Sequence, residues 1–149
     1  MKKLSVIIGE KLPMKSEIRN FELKHCVTLP KLFIDFLQSQ NPVYTQECYF
    51  YVKGKEPFDI FFFPFSERSE HWTIQKGTEN LFESFYDRRY IPFGADSGGW
   101  QYVISVDAKD YGKIYFCRMD EELDRALTFL AEDICEFING LASDEELTQ

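Results

Sequence analysis

The chain has 149 residues, 44% hydrophobic and 28% charged, with a formal net charge of -8. This balance excludes a disordered or collagen-like polypeptide, and the length suits one domain, 1–149, burying roughly 68–70% of its unfolded surface. The excess charge is uneven: residues 120–149 carry ten acids against Arg125 alone, a field that repels nucleic acid and favours basic partners.

The opening "MKKLSVIIGEK" is basic, but its apolar run between Lys3 and Gly9 is shorter than a secretory core. Nothing in the sequence approaches the ~20 apolar residues of a membrane span, so a cytoplasmic location is the expectation. "KSEIRNFELKHC" predicts a helix capped by Ser16, with Ile18, Phe21 and Cys26 facing inward. "TLPKLFIDFLQSQNP" predicts a second helix, with Pro30 in its first turn, Leu32, Phe33, Phe36 and Leu37 on one side, and Asn41-Pro42 as its stop. The aromatic-rich "CYFYVK" and "FDIFFFPF" read as strands joined by "GKEP", with the run from Phe61 to Phe63 covered on both faces. "TENLFESFYDRRY" predicts a helix capped by Thr78, because Leu81, Phe82, Phe85 and Tyr86 recur at three- and four-residue spacing. Arg88 and Arg89 then read as solvated charges at its negative end.

From Tyr90 to Cys117 the string "YIPFGADSGGWQYVISVDAKDYGKIYFC" predicts three strands joined by two turns. Tyr102, Ile104 and Val106 alternate with Val103 and Ser105, and Ile114 and Phe116 oppose Lys113 and Tyr115. "ADSGG" and "DAKDYG" supply residues that tolerate positive φ or bond their own backbone. Leu123, Leu127, Leu130, Ile134, Phe137, Ile138 and Leu141 then form a stripe that predicts one long final helix, capped by Asp120 and stopped by a left-handed Gly140. With 15 Phe and 8 Tyr favouring a sheet-rich core, the reading is an α+β fold: helices packed on one side of a mostly antiparallel sheet.

Candidate chemistry is sparse. Cys26, Cys48, Cys117 and Cys135 form no C-x-x-C pair and have only His25 and His71 as companions, so they read as buried reduced thiols, and no metal or cofactor is expected. Asp96-Ser97-Gly98-Gly99 resembles a protease nucleophile loop, but a serine nucleophile needs an oriented imidazole, and the two histidines fall in a helix end and a connecting loop. The competing reading is a turn in which Asp96 bonds the loop backbone, and no enzymatic activity is expected. Trp100 and Trp72 are either packed or interface anchors. Asp124 joins Asp120, Glu121 and Glu122 at a helix start, where the dipole welcomes anions. Glu132, Asp133 and Glu136 fall past mid-helix without that explanation, and serve either solubility or the docking of a basic partner.

The order of "LPKLFIDFL" followed by "QN", then "IPFGADSGG", "GKIYF" and "FLAEDICEFINGL" resembles the SUKH superfamily, the Smi/Knr-type fold, over nearly the whole chain. One departure is Asn41-Pro42-Val43, where such proteins commonly carry an Asn-Gly-Gly-like turn. The resemblance implies a non-enzymatic binding module, most often an immunity protein that neutralises a cognate toxin, frequently a nuclease, by direct contact; other members are regulatory or scaffold proteins. The expected docking surface combines Asp96, Trp100, Trp72, Asp124, Glu132, Asp133 and Glu136. The expected partner is a toxin with a basic surface, neither nucleic acid nor membrane, bound by a monomer or weak homodimer.

Overall fold

In the computed structural model, which describes residues 1–52 and 54–148, the chain opens with an unpredicted strand, β1 (Val6–Gly9), followed by α1 (Lys15–His25) and α2 (Lys31–Ser39). α1 buries Ile18 and Phe21, as their spacing requires. It is capped at Met14, whose N–H donates to the Glu17 carboxylate at 3.0 Å, so Ser16 lies inside the first turn. Cys26 sits just past the helix end with φ 55° and is exposed, not inward. In α2 the buried face is Phe33, Phe36 and Leu37. Leu32 is exposed because it lies about 100° around the helix from Phe33.

β2 (Pro42–Thr45) pairs antiparallel with β1. Two buried amides at the end of α2 fix this ribbon. Gln40 accepts the Leu4 N–H at 2.8 Å and donates to the Lys2 carbonyl at 3.2 Å. Asn41 donates to the carbonyls of Lys11 and Phe65 at 2.9 and 3.0 Å and accepts the Phe65 N–H at 2.8 Å. α2 ends at Ser39 with Gln40 as its C-cap, and Asn41 just beyond is the tie between three chain segments. Asn41→Ala leaves the buried Phe65 N–H without its acceptor, so a loss of about 2–3 kcal/mol is expected in urea unfolding. A loss below about 0.5 kcal/mol would show that the tie contributes little.

β3 (Glu47–Phe50) ends three residues before Lys53, the last residue of the predicted "CYFYVK" strand, which lies outside the described residues. "FDIFFFPF" does not form one strand. β4 (Phe58–Asp59) pairs with β3, whereas β5 (Phe61–Phe62) pairs with β6 (Tyr90–Ala95), so this segment crosses between sheets and its aromatics fill the space between them. α3 (Ile74–Ser84) starts four residues before Thr78, because the Thr73 hydroxyl caps it by accepting the Lys76 N–H at 3.1 Å. Gly77 permits α3 to lie on β6, since a Cβ there would come within 2.9 Å of the Pro92 ring.

β6, β7 (Gln101–Ser105) and β8 (Ile114–Cys117) form the expected meander, and β7 is buried along its whole length. The long final helix does not form. Its residues divide into α4 (Leu123–Ala126), β9 (Leu127–Ala131), α5 (Ile134–Asn139), β10 (Leu141–Ser143) and α6 (Asp144–Leu147). Leu127-Thr128-Phe129 is bulky and β-branched enough to complete the sheet beside β8, and that tertiary pairing overrides the helical spacing. Asp133, extended at φ -157°, caps α5 by accepting the Glu136 N–H at 2.8 Å. Glu122, not Asp120, stands at the N-cap position of α4, without a side-chain capping hydrogen bond. Gly140 has φ -86°, so no left-handed stop is involved; a Cβ there would come within 3.0 Å of the Phe50 ring.

Pairing is thus spread over three antiparallel sheets, ordered β1-β2, β10-β3-β4 and β5-β6-β7-β8-β9, instead of one. α3 lies on β6 and α2 against α5. Phe137 joins these layers: its ring stacks on Phe50 at 4.8 Å and meets Phe93 and Tyr102 at 5.6 Å each. All four cysteines are free, but only Cys117 is buried.

Candidate protein-binding surface

Because α3 ends at Ser84, the next two aromatics leave its inward face. Phe85 is exposed, and Tyr86, held at φ 54° in the left-handed region, is 89% exposed. An aromatic ring so placed makes almost no contact with its own chain, in a backbone conformation that L-residues rarely adopt. Asp87 then folds the segment onto itself. Its carboxylate accepts the Arg89 N–H at 2.8 Å and the Arg89 guanidinium at 2.7 Å. The same guanidinium donates to Asp124 at 2.9 Å, tying residues 85–89 to the segment after β8. Held first by Asp87 and then by Asp124, Arg89 is pushed above its ordinary pKa. Arg88 stacks over the Phe82 ring at 4.9 Å and donates to the His25 carbonyl at 3.5 Å. Neither arginine is the free solvated charge the sequence suggests.

The facing segment is shaped by Arg118, which donates to Glu121 at 2.9 Å and to the Arg125 carbonyl at 2.7 Å. Together the two segments enclose a concavity of about 580 Å³. Phe85, Met119 and Leu123 supply its apolar lining, and Asp87, Asp120, Glu121, Glu122 and Asp124 carry its carboxylates. Asp120 and Glu122 are exposed and have no ion-pair partner among the described residues, whereas Glu121 and Asp124 are held by arginines. Apolar side chains set among polar ones are a feature of protein-binding patches.

Of the residues proposed from sequence, only Asp124 falls in this concavity. None of the others lines it. Ala95, Gln101, Cys117 and Leu127 align at one end of the five-stranded sheet, where the Asp96–Trp100 turn lies. Ile91, Ile104, Ile114 and Ala131 align toward the other, from which Glu132, Asp133 and Glu136 follow. Asp96 accepts the Gly98 and Trp100 N–H groups at 3.0 and 2.9 Å, and Trp100 is half-buried edge-on to Phe116 at 6.0 Å. Glu132 faces Lys113 at 3.9 Å, a cation far away in sequence, and Asp133 is the α5 cap. Trp72, 46% exposed, follows His71, whose ring meets Tyr44 at 6.3 Å. Sequence reasoning missed Tyr86, Phe85 and Met119, since the same spacing that marks α3 assigned Phe85 and Tyr86 to the helix. No sequence signal announces a left-handed tyrosine.

Ser97 sits in the exposed turn with its N–H donating to Asp59 at 2.9 Å, and no histidine bonds to it among the described residues. His25 lies between Phe21 and Phe82, with ring centroids at 4.6 and 5.6 Å. Burial, reinforced by Lys24, lowers its pKa below the usual 6.5. The unfolded chain therefore takes up this proton before the folded one does, and stability falls as pH drops through about 6.5 toward the depressed folded value. His25→Leu is expected to flatten that part of a Tm-against-pH profile; an unchanged slope would assign the acid lability to other groups.

Among the described residues, no group of three or more His, Cys, Asp or Glu is placed to hold a metal ion, and no helix is long and apolar enough to cross a membrane. The chain matches no curated protein. The model of the SMI1 / KNR4 family (SUKH-1) matches residues 13–140, and with the antiparallel α+β architecture above, the chain belongs to this family, which includes toxin-immunity proteins.

Proposed function

We propose that the chain is an immunity protein that neutralises a cognate toxin domain by direct contact, using the concavity between residues 84–89 and 119–124 as its docking surface. The observation that carries this reading is Tyr86: a tyrosine 89% exposed on a tied-down turn, between Phe85 and Asp87, which line the concavity. Tyrosine is among the residues most enriched at binding hot spots, and a preformed surface loses little freedom on association. The concavity's carboxylates select the partner's sign. A toxin that acts on nucleic acid carries a basic channel for phosphates, and a carboxylate-lined protein with net charge -8 is attracted to it at long range and covers it at contact. The interaction requires no covalent chemistry or cofactor. It is set in the cytoplasm, where a toxin would otherwise act on its producer.

Co-expression with the toxin encoded by the neighbouring gene tests this function. Restored growth together with a stable one-to-one complex is the expected result. Unrelieved toxicity with the chain folded and present would overturn it, and would favour a regulatory or scaffold role for the same surface.

A further inference from the structure

We propose that the free edge of β1 is a strand-addition site for an extended segment of another protein, apolar at its centre and acidic at both ends. β1 is an outer strand with a partner, β2, on one side only. Its Val6, Ile7 and Ile8 are 45%, 62% and 46% exposed, three branched aliphatic side chains in a row. Soluble proteins ordinarily protect such an edge with charge, proline or a covering loop. Here the pairing with β2 shifts register between Val6 and Ile8 and again between Ile8 and Gly9, and the strand is clamped at both ends. The Ser5 N–H and hydroxyl donate to Glu47 at 2.7 and 2.9 Å, and the Gln46 N–H donates to the Ser5 carbonyl at 2.9 Å. At the other end the Glu10 N–H donates to the Asn41 carbonyl at 2.9 Å, and Asn41 holds the Lys11 carbonyl. Both ends are fixed on the body of the protein, so the edge is held extended before any ligand arrives. Strand addition draws its affinity from main-chain hydrogen bonds to such a preformed edge.

Charge selects the occupant. Lys3 and Lys11 are exposed, lie four residues on either side of Ile7, and have no ion-pair partner among the described residues; Glu10 is the one carboxylate between them. A second copy added antiparallel about Ile7 would set Lys3 against Lys11 twice, an unfavourable cross-strand pairing. Registers centred on Val6 or Ile8 put Gly9 or Pro13 of the copy opposite Lys3, neither of them a carboxylate. An added strand with acids at its first and ninth positions instead matches both lysines, and apolar residues at its fourth, fifth and sixth positions fall opposite Val6, Ile7 and Ile8. This edge shares no residue with the acidic concavity, so it can be occupied while the concavity is in use.

The probe is a fluorescein-labelled peptide, Glu-Thr-Thr-Val-Val-Val-Thr-Thr-Glu, titrated with the full chain and read by anisotropy. Saturable binding is expected. It should weaken about tenfold or more when Lys replaces both terminal Glu residues, and recover when that Lys peptide meets the Lys3→Glu/Lys11→Glu variant. Methylating alternate peptide nitrogens should abolish binding by removing the strand hydrogen bonds. All three positions are exposed, so Ile7→Asp and the lysine variants can be checked for unaltered folding by circular dichroism. Absence of saturable binding, equal affinity for the N-methylated peptide, or insensitivity to the charge swap would overturn the proposal. So would a concentration-dependent dimer abolished by Ile7→Asp, which would give the edge to a second copy.

Discussion

Phe137→Ala is expected to be among the most destabilising single substitutions in the chain, costing about 3–5 kcal/mol. The residue is fully buried, and its ring contacts Phe50 of the three-stranded sheet together with Phe93 and Tyr102 of the five-stranded one. Truncation removes the transfer energy of the ring and leaves a cavity lined by large aromatics, which cannot collapse into it without moving backbone. For a domain of this size the change corresponds to a fall in Tm on the order of 10 °C. Phe129→Ala supplies the comparison: Phe129 belongs to β9 but is about half exposed, against Tyr115 and Lys113, and its loss is expected to cost about 1 kcal/mol or less. Equal losses at the two positions would show that Phe137 is not the junction between the sheets.

Tyr86→Ala is expected to weaken the toxin complex by about thirtyfold or more, the scale of a hot-spot tyrosine, while leaving Tm nearly unchanged. Stability is spared because a ring 89% exposed contributes almost nothing to the folded state, and replacing it does not touch the Asp87–Arg89–Asp124 tie. Asp120→Lys/Glu122→Lys is expected to act differently. Both carboxylates are exposed and unpaired among the described residues, so their reversal should slow association most at low salt and matter less as salt screens the field. Glu132→Lys/Glu136→Lys, outside the concavity, is expected to change the affinity only by about threefold or less through long-range charge. If that pair outweighed Tyr86, docking would centre on α5 instead.

The contrast between these positions reflects what sequence can encode locally. The helices of the first forty residues and the meander from Tyr90 to Cys117 were legible because their periodicity, proline and glycine signals all agree. The C-terminal third was not: a stripe from Leu123 to Leu141 satisfies helical spacing, yet β9 is fixed by pairing with β8, a partner about ten residues back that no local pattern names. β1 escaped because its side chains are exposed and show no alternation. The acidic bias of the last thirty residues was readable, and Asp124 belongs to it. Its neighbours Phe85 and Tyr86 come from a segment more than thirty residues away, joined through Arg89. Electrostatic composition is a property of the sequence, whereas the patch it forms is a property of the chain path.

Hydrogen–deuterium exchange of the chain, alone and bound to the toxin from the neighbouring gene, tests the docking surface most directly. Slowed exchange on binding, concentrated in residues 84–89 and 119–124, is the predicted result. Slowed exchange confined to the Asp96–Trp100 turn and residues 132–139, with 84–89 and 119–124 unchanged, would contradict it.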